Sequence, residues 1–268
     1  CCGVALSAAD VTVEGWLAKA DSLRTMGLDA ASLDLLKSAQ HEFEANGDPC
    51  SSALLAERRA RIHLDWKNPL HADVALTEAI RFSEQCPGLA EQRVGWRLSL
   101  AEASLEQGKR KEARTLLLGL ARMTSEEGVS PERKALAVSA MEQLAAMSFE
   151  EGAYEEAEAD HLARASVLLE LDRREAAAIA LGWAAVCHSL EHPEVAPDYW
   201  SGFEDNPAWR AIPVERKVVH GTEWGRLLLE GRAMATFDAM GQWPWAKAVE
   251  AGTDVVPPEW TARWGLLQ

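Results

Sequence analysis

The chain has 268 residues, of which 48% are hydrophobic, so it can bury a substantial core as one extended array or as an array with a small appendage. Its 27 lysine and arginine residues stand against 42 aspartate and glutamate residues, giving a net charge of −15. Nucleic acids and anionic membrane surfaces recruit basic patches, so both are excluded as main partners and a basic or neutral protein partner is expected.

The N-terminal stub over residues 1–9 begins with Cys1. In this it resembles a mature bacterial lipoprotein, in which the signal peptide is removed immediately before a cysteine that carries lipid. The resemblance implies lipidation of Cys1 and a location at the periplasmic face of a bacterial membrane. The alternatives are that Cys1 is only a boundary of the chain, or that residues 1–8 are a signal-peptide remnant with a small-residue cleavage site.

Two helices follow the stub and form the first predicted hairpin. Asp10 is the predicted N-cap of a helix over 11–26, and Gly27 ends that helix. A second helix is predicted over 29–46, and it closes in the turn over 46–49. Apolar residues recur at helical spacing along both segments, which gives each helix one face to bury.

The second hairpin is predicted from the same signals. Ser51 is the expected cap of a helix over 51–66, and the pair Asn68-Pro69 ends it. A fourth helix over 70–85 ends in Cys86-Pro87-Gly88.

Five cysteines are an odd count, which is compatible with lipidation of Cys1. Cys50 and Cys86 each follow the second helix of neighbouring hairpins, so they could form a disulfide, while Cys2 and Cys187 are left over. The alternative is that Cys50 and Cys86 are reduced surface thiols.

The clearest internal repeat relates residues 96–120 to residues 141–164. When Gly108 is aligned with Gly152, the matched pairs are Leu100 with Leu144, Ala101 with Ala145, Ser104 with Ser148, Glu112 with Glu156, and Ala113 with Ala157. Glycine can adopt the positive φ that ends a helix, and alanine lets a second helix pack closely on the first. Each copy therefore predicts a helix-turn-helix hairpin, and such hairpins bury their apolar faces by stacking.

The repeat resembles the tetratricopeptide repeat, which has a small residue in its first helix, a glycine at the turn and an alanine in its second helix. The matching residues are Ala101, Gly108, Ala113 and Leu117 in the first copy, and Ala145, Gly152, Tyr154 and Ala157 in the second. The chain departs from the pattern at Ser104, Ser148, His161 and Arg164, and its two turn glycines are 44 residues apart, whereas the usual period is about 34 residues.

The resemblance implies an all-α, right-handed α-solenoid of stacked hairpins over residues 10–192. It also implies that the first helices line an inner groove that binds protein. The groove residues expected from the family pattern are Leu98, Glu102, Leu105 and Glu106 in one copy and Glu142, Ala146, Phe149 and Glu150 in the next. Their acidic and apolar mixture suits a basic amphipathic segment.

Between the two copies, the linker over 125–131 ends in a helix-start signature with Ser130 before Pro131. The second helix of the last clear copy is predicted to reach residue 170. A further helix over 173–190 begins another hairpin.

Residues 193–268 are predicted to be an irregular cap rich in tryptophan and proline, with one long helix over 214–240. Seven tryptophans lie in this segment: Trp200, Trp209, Trp224, Trp243, Trp245, Trp260 and Trp264. We interpret them mainly as the core of the cap. The alternative is that the tryptophans form an aromatic platform that binds a carbohydrate or a proline-rich peptide. The candidates for exposed anchors in a protein interface are Trp243, Trp245, Trp260 and Trp264.

One motif suggests catalysis. His188, Glu191 and His192 fit the H-x-x-E-H pattern of the inverted zinc proteases, in which the two histidines hold the metal and the glutamate is the general base. Pro193 ends the helix at once, and the surroundings are helical repeats, so a fortuitous helix end is the favoured interpretation. His161 is interpreted as a core histidine, and no catalytic, metal or cofactor site is expected.

The sequence therefore predicts a non-catalytic scaffold for protein–protein interaction, in the form of a lipid-anchored cell-envelope protein that assembles or braces a larger complex. The alternatives are a cytoplasmic adaptor or regulator built of the same repeats and, from a different class, a zinc hydrolase.

Overall fold

The computed structural model describes residues 12–125, 128–241 and 246–247, and the regular secondary structure in these ranges is helical, with no β-strand. The predicted all-α class is therefore confirmed. The chain divides into two compact units, Cys1–Leu120 and Ala121–Gln268, here called unit 1 and unit 2. Within the described ranges, no helix has both the length and the apolar character that crossing a membrane requires.

Unit 1 begins with two hairpins of similar size. Its helices are α1 (Val13–Thr25), α2 (Asp29–Ala45), α3 (Pro49–Asp65), α4 (Pro69–Ser83), α5 (Ala90–Glu106) and most of α6 (Arg110–Arg122), with a 3₁₀ turn at Pro87–Leu89. Each helix from α1 to α4 packs against the next one in the chain.

Unit 2 starts with a long hairpin and continues through a less regular stretch. After a 3₁₀ turn at Met123–Ser125, its helices are α7 (Pro131–Glu150), α8 (Tyr154–Glu170), α9 (Arg174–Glu191), α10 (Asp198–Ser201), α11 (Pro207–Arg210), α12 (Val214–Glu230) and α13 (Met234–Gly241). A 3₁₀ turn at Phe203–Asp205 separates α10 from α11. Helix α9 contacts α8, α10, α11 and α12, so it is central to the unit.

Two of the predicted N-caps are wrong. Helix α1 is capped by Thr12, whose hydroxyl accepts the Gly15 N–H at 3.3 Å, whereas the predicted cap Asp10 lies outside the described residues. Helix α3 is capped by Asp48, whose carboxylate accepts the Ser51 N–H at 3.0 Å. Ser51 is inside the first turn, because the proline that follows Asp48 is favourable at the first helical position.

The same turn closes most of the long helices. Its central residue has a positive φ between 52° and 75°, and it is Gly27, Gly47, Lys67, Gly108, Gly152, Asp172 or Arg232. The next residue donates its N–H to the carbonyl five positions earlier, as from Asp48 to Phe43 and from Lys109 to Ser104, each at 2.9 Å. This is the Schellman motif, which satisfies carbonyl groups that a helix end leaves without partners.

The turn residues give the period of the fold. Gly27, Gly47 and Lys67 are 20 residues apart, as are Gly152 and Asp172. One helix with its turn therefore takes 20 residues and a hairpin takes 40. The 44-residue step from Gly108 to Gly152 is longer because it includes the extended connection before α7.

The single long helix predicted over 214–240 is wrong, because the structure has two helices there. Arg232 adopts a φ of 58°, and the Ala233 N–H donates to the Leu228 carbonyl at 2.7 Å. The backbone therefore ends α12 with the same Schellman turn and begins α13 two residues later. The segment predicted as part of an irregular cap contains one more helical hairpin.

Within unit 1, neighbouring hairpins contact each other helix by helix. The first helices are joined where Arg58 on α3 donates to Asp21 on α1 at 2.5 Å. The second helices are joined where Gln40 on α2 donates to Glu78 on α4 at 3.1 Å. Inside the first hairpin, the Ser32 hydroxyl donates to a backbone carbonyl of α1 at 2.9 Å.

A disulfide joins Cys50, at the start of α3, to Cys86, just after α4, with their Cα atoms 5.6 Å apart. It closes a loop over the whole second hairpin. Cys187 on α9 is a buried free thiol, and burial raises its pKa to about 12. A thiol with this pKa is protonated and unreactive at neutral pH.

Small residues let the hairpin helices approach closely, as the repeat predicts. Ala113 and Ala157 are both 0% exposed. Ser104 and Ser148, which stand where the repeat family usually has a large residue, are buried as well. These serines therefore act as further small residues at helix contacts.

The core of unit 2 is aromatic. Trp200, Trp209 and Trp224 are fully buried, and Phe203 packs among them. The Trp209 and Trp224 rings are stacked with centroids 5.6 Å apart. A core role for these three tryptophans matches the favoured interpretation of the sequence.

Candidate functional site

A concave pocket of about 360 Å³ lies within unit 2, with walls from α7, α8, α9 and α12. The residues that line it are Glu142, Ala146, Phe149, Glu150, His161, Arg164, Trp183, Glu223, Arg226 and Leu227. Its volume is in the range of about 300–1,000 Å³ that is usual for ligand sites. The pocket combines apolar and charged side chains, as binding sites generally do.

The α7 wall contains all four groove residues predicted for the second copy. Glu142, Ala146, Phe149 and Glu150 follow one another at intervals of four, three and one residues, so they share one helix face. Ala146 and the two glutamates are exposed, and Phe149 is half-buried. The sequence thus indicates which face of this helix is turned away from the core.

Aromatic rings form a continuous surface in the pocket. Trp183 on α9 is stacked against His161 on α8, with centroids 6.0 Å apart and planes 17° apart. Phe149 meets Trp183 edge to face at 6.0 Å. Behind them, Trp183 contacts the buried ring of Trp224 at 6.4 Å, which ties the pocket to the aromatic core.

His161 is 7% exposed and is neutral at physiological pH. Burial, and secondarily the positive charge of Arg164, lowers the pKa of the imidazole to about 4. The Nδ1 atom of His161 is buried without a hydrogen-bond partner in the structure. The ring therefore contributes mainly flat, uncharged surface to the pocket, stacked on Trp183.

The two arginines of the pocket are each paired with a carboxylate. Arg164 donates to Glu142 at 2.8 Å, and the Arg164 side chain is only 12% exposed. Arg226 donates to both carboxylate oxygens of Glu230, at 2.8 and 2.9 Å. Glu223 and Glu150 also line the pocket, so its lining contains three carboxylates and two guanidinium groups.

The groove residues predicted for the first copy agree less well with the exposure of their side chains in the structure. Leu98 is 9% exposed and lies on the same face of α5 as the buried Val94 and Ala101, so its assignment to a surface groove is wrong. Glu102 and Glu106 are exposed. Leu105, also assigned to this groove, is half-buried.

The histidines of the H-x-x-E-H motif are adjacent, with ring centroids 5.1 Å apart. His188 Nδ1, however, lies 3.0 Å from a carboxylate oxygen of Glu158 on α8. Glu191 and His192 are both exposed at the end of α9. Among the described residues, no group of three or more His, Cys, Asp or Glu side chains is arranged to hold a metal ion.

Several predicted sites lie outside the described residues. They are the lipidation site Cys1 and the interface candidates Trp243, Trp245, Trp260 and Trp264. Their assignments stay predictions.

The sequence did not indicate the contributions of α9 and α12 to the pocket. Trp183 lies in the helix predicted over 173–190, to which the sequence assigns no site, and Glu223, Arg226 and Leu227 lie in the predicted cap. The one signal for Arg164 was its departure from the repeat pattern, at a position where a small or aromatic residue is usual. Comparison with models of known protein families gives no match, and no curated protein is significantly similar in sequence.

Proposed function

We propose that the protein is a non-catalytic scaffold that binds a basic amphipathic segment of a partner protein, and that its hairpins stack as a tetratricopeptide-like right-handed solenoid. The observation that carries the binding proposal is the unit 2 pocket, where aromatic surface and an excess of carboxylates occur together. A basic amphipathic helix is complementary to both features, since it presents apolar and cationic side chains side by side.

The stacking proposal is supported by contacts within unit 1. The first helices of successive hairpins are joined by Arg58 and Asp21, and the second helices by Gln40 and Glu78. In a two-layer stack of hairpins, first helices contact first helices and second helices contact second helices. The 20-residue spacing of the turns supports the same arrangement, because a regular spacing allows each hairpin to repeat the packing of the previous one.

The test of binding uses a defined peptide in place of an unknown partner. The probe is a fluorescein-labelled, 18-residue amphipathic helix of leucine and lysine, and its control replaces every lysine with glutamate. We expect the basic peptide to bind and the acidic peptide not to bind, as measured by fluorescence anisotropy at physiological salt. A scaffold with no preference between the two peptides would contradict the proposal.

Two matched variants locate the binding surface. Ala146→Arg adds a bulky cation to the pocket wall and should weaken binding of the basic peptide at least about tenfold. Ala159→Arg makes the same change at an exposed position of α8 that does not line the pocket, and should leave the affinity within about twofold. Equal effects of the two variants would show that net charge alone governs binding. The double variant Glu102→Lys and Glu106→Lys tests whether the predicted groove of unit 1 also binds the basic peptide. Weaker binding is expected, and an unchanged affinity would count against that groove.

The proposed location is the cell envelope, with lipidation of Cys1 as the means of attachment. Support comes from the Cys50–Cys86 disulfide, because structural disulfides persist mainly in oxidising compartments outside the cytosol. Mass spectrometry of the native protein tests both points. A diacyl or triacyl mass on Cys1 would support the lipoprotein, whereas an unmodified N-terminus with reduced cysteines would favour a cytoplasmic adaptor.

A further inference from the structure

The size of the unit 2 pocket limits what can enter it. At about 360 Å³, it is near the lower end of the range for ligand sites and is too small for a whole helix. A partner segment would therefore lie across the opening and insert one or two side chains. The identity of the inserted side chain is determined by the charges and the aromatic rings around it.

The charge balance of the pocket favours a cation. Glu142, Glu150 and Glu223 line it together with two arginines, and a further carboxylate, that of Glu230, accepts two hydrogen bonds from Arg226. Among the lining residues, three carboxylates thus outnumber two guanidinium groups, and the imidazole of the pocket adds no positive charge. An inserted carboxylate or phosphate would meet net repulsion.

The aromatic surface favours the same ligand. Phe149, Trp183 and His161 form a continuous set of ring contacts in the pocket. Tryptophan is the ring that attracts cations most strongly, and Trp183 is held in place by Trp224 behind it. The aliphatic part of a lysine or arginine side chain also gains by lying along aromatic carbon.

We infer that the pocket formed by α7, α8, α9 and α12 is a recognition site for a single lysine or arginine side chain presented by an apolar helix surface. The cationic head lies near Glu223, and the aliphatic stem contacts Phe149 and Trp183. This inference rests on the proposed function, since it names the residue that anchors the bound segment. A site of this kind should select a peptide with a cation at one particular position. General attraction of basic peptides to an acidic protein would show no such dependence on position.

The experiment compares two 18-residue helical peptides that differ at one position. Both have a leucine face, glutamine elsewhere, and a central position occupied by lysine in one peptide and by norleucine in the other. Norleucine keeps the length of the aliphatic chain and removes the charge. Isothermal titration calorimetry should give about tenfold tighter binding of the lysine peptide to the wild-type protein.

Two isosteric variants then localise the selectivity. Glu223→Gln should reduce the preference for lysine to about threefold or less, while the norleucine peptide binds as before. Glu194→Gln removes the same charge from an exposed position outside the pocket and should leave the preference unchanged. Because both substitutions are on the surface and nearly isosteric, the variants should fold like the wild type, which circular dichroism checks.

The outcomes separate this inference from the proposed function. If both peptides bind the wild type with equal affinity, the scaffold function stands and the lysine-recognition site is overturned. If lysine is preferred but Glu223→Gln changes the preference no more than Glu194→Gln, the cation is bound elsewhere and the inference also fails. If neither these peptides nor the multiply charged basic peptide binds, the proposed function fails, and the inference with it.

Discussion

Gly182 on α9 lies directly against the indole ring of Trp224 on α12. A Cβ atom at position 182 would be 2.1 Å from Cη2, 2.5 Å from Cζ2 and 2.7 Å from Cζ3 of that ring. These distances are far below van der Waals contact, so Gly182→Ala would force one helix or the ring to move. The ring has little room, because Trp224 is fully buried and contacts Trp209 and Trp200.

Two opposing terms decide the size of the effect. Replacing glycine with alanine inside a helix stabilises it by about 1 kcal/mol in the absence of a clash. Overpacking a well-filled core costs about 1–3 kcal/mol and sometimes more, and three overlapping atoms place Gly182 at the upper end. We therefore expect Gly182→Ala to lower the free energy of unfolding of unit 2 by about 2 kcal/mol.

The assay is urea unfolding followed by circular dichroism at 222 nm, with Gly95→Ala as the matched control. Gly95 lies in the interior of α5, and a Cβ built there meets nothing within 4 Å, so alanine should stabilise that helix. The double variant Gly182→Ala with Trp224→Phe should lose less stability than the sum of the single variants, because the smaller ring relieves the overlap. If Gly182→Ala stabilises the protein as Gly95→Ala does, the close packing of α9 on α12 is refuted.

Three further predictions concern the disulfide, the buried histidine and the turns. Reduction of the Cys50–Cys86 bond, which spans 36 positions, should destabilise unit 1 by about 4 kcal/mol, and a Cys50→Ser variant should melt like the reduced protein by calorimetry. Because the pKa of His161 is lowered to about 4, the unfolded chain binds a proton below about pH 6.5 that the folded protein does not. Stability should therefore fall by about 3 kcal/mol between pH 6.5 and pH 4, and His161→Phe should remove that part of the acid sensitivity in urea titrations. Lys67→Gly should raise the melting temperature by relieving a φ of 52°, whereas Lys37→Gly, inside α2, should lower it; a lower melting temperature for both would contradict the turn assignment.

The helical hairpins could be predicted because their ends carry strong local signals. Gly108 and Gly152 mark helix ends at positions where positive φ is required, and the structure gives both φ values between 74° and 75°. The start of α7 was equally clear, since Ser130 before a proline is a helix cap, and its hydroxyl accepts the Arg133 N–H at 3.2 Å. Local chemistry was sufficient at each of these positions.

Turns whose positive-φ residue is not glycine carry a weaker local signal. Lys67, Asp172 and Arg232 all adopt positive φ although their side chains disfavour it. The helix ends before Lys67 and Asp172 are still predicted, at residues 66 and 170, and Asn68-Pro69 marks the first of them. No proline follows Arg232 closely, so the sequence there predicts one continuous helix. The 20-residue period, visible once the structure is known, supplies the missing signal, because it places a helix end near each of these positions.

The pocket was only partly predictable, for a different reason. Repeat geometry identified the exposed face of α7, including Ala146 and Phe149, because that face depends on spacing along one helix. Trp183 and Arg226 reach the same pocket through the packing of α9 and α12, which depends on contacts between residues distant in sequence. The groove assignment of Leu98 is wrong because the repeat pattern places a side chain on a helix but does not determine which neighbouring helices cover it.

The aromatic contacts of unit 2 connect its stability to the shape of the pocket. Edge-to-face and stacked rings lead from Phe149 through Trp183 to Trp224 and then to Trp209 in the core. Since Trp224 can approach α9 only because residue 182 is glycine, the same close contact that packs the core also supports the Trp183 ring from behind. A rigidly supported ring loses little conformational entropy when a ligand binds, so the packing of α12 on α9 favours recognition as well as folding. A substitution that loosens this contact should therefore weaken peptide binding even though residue 182 does not line the pocket.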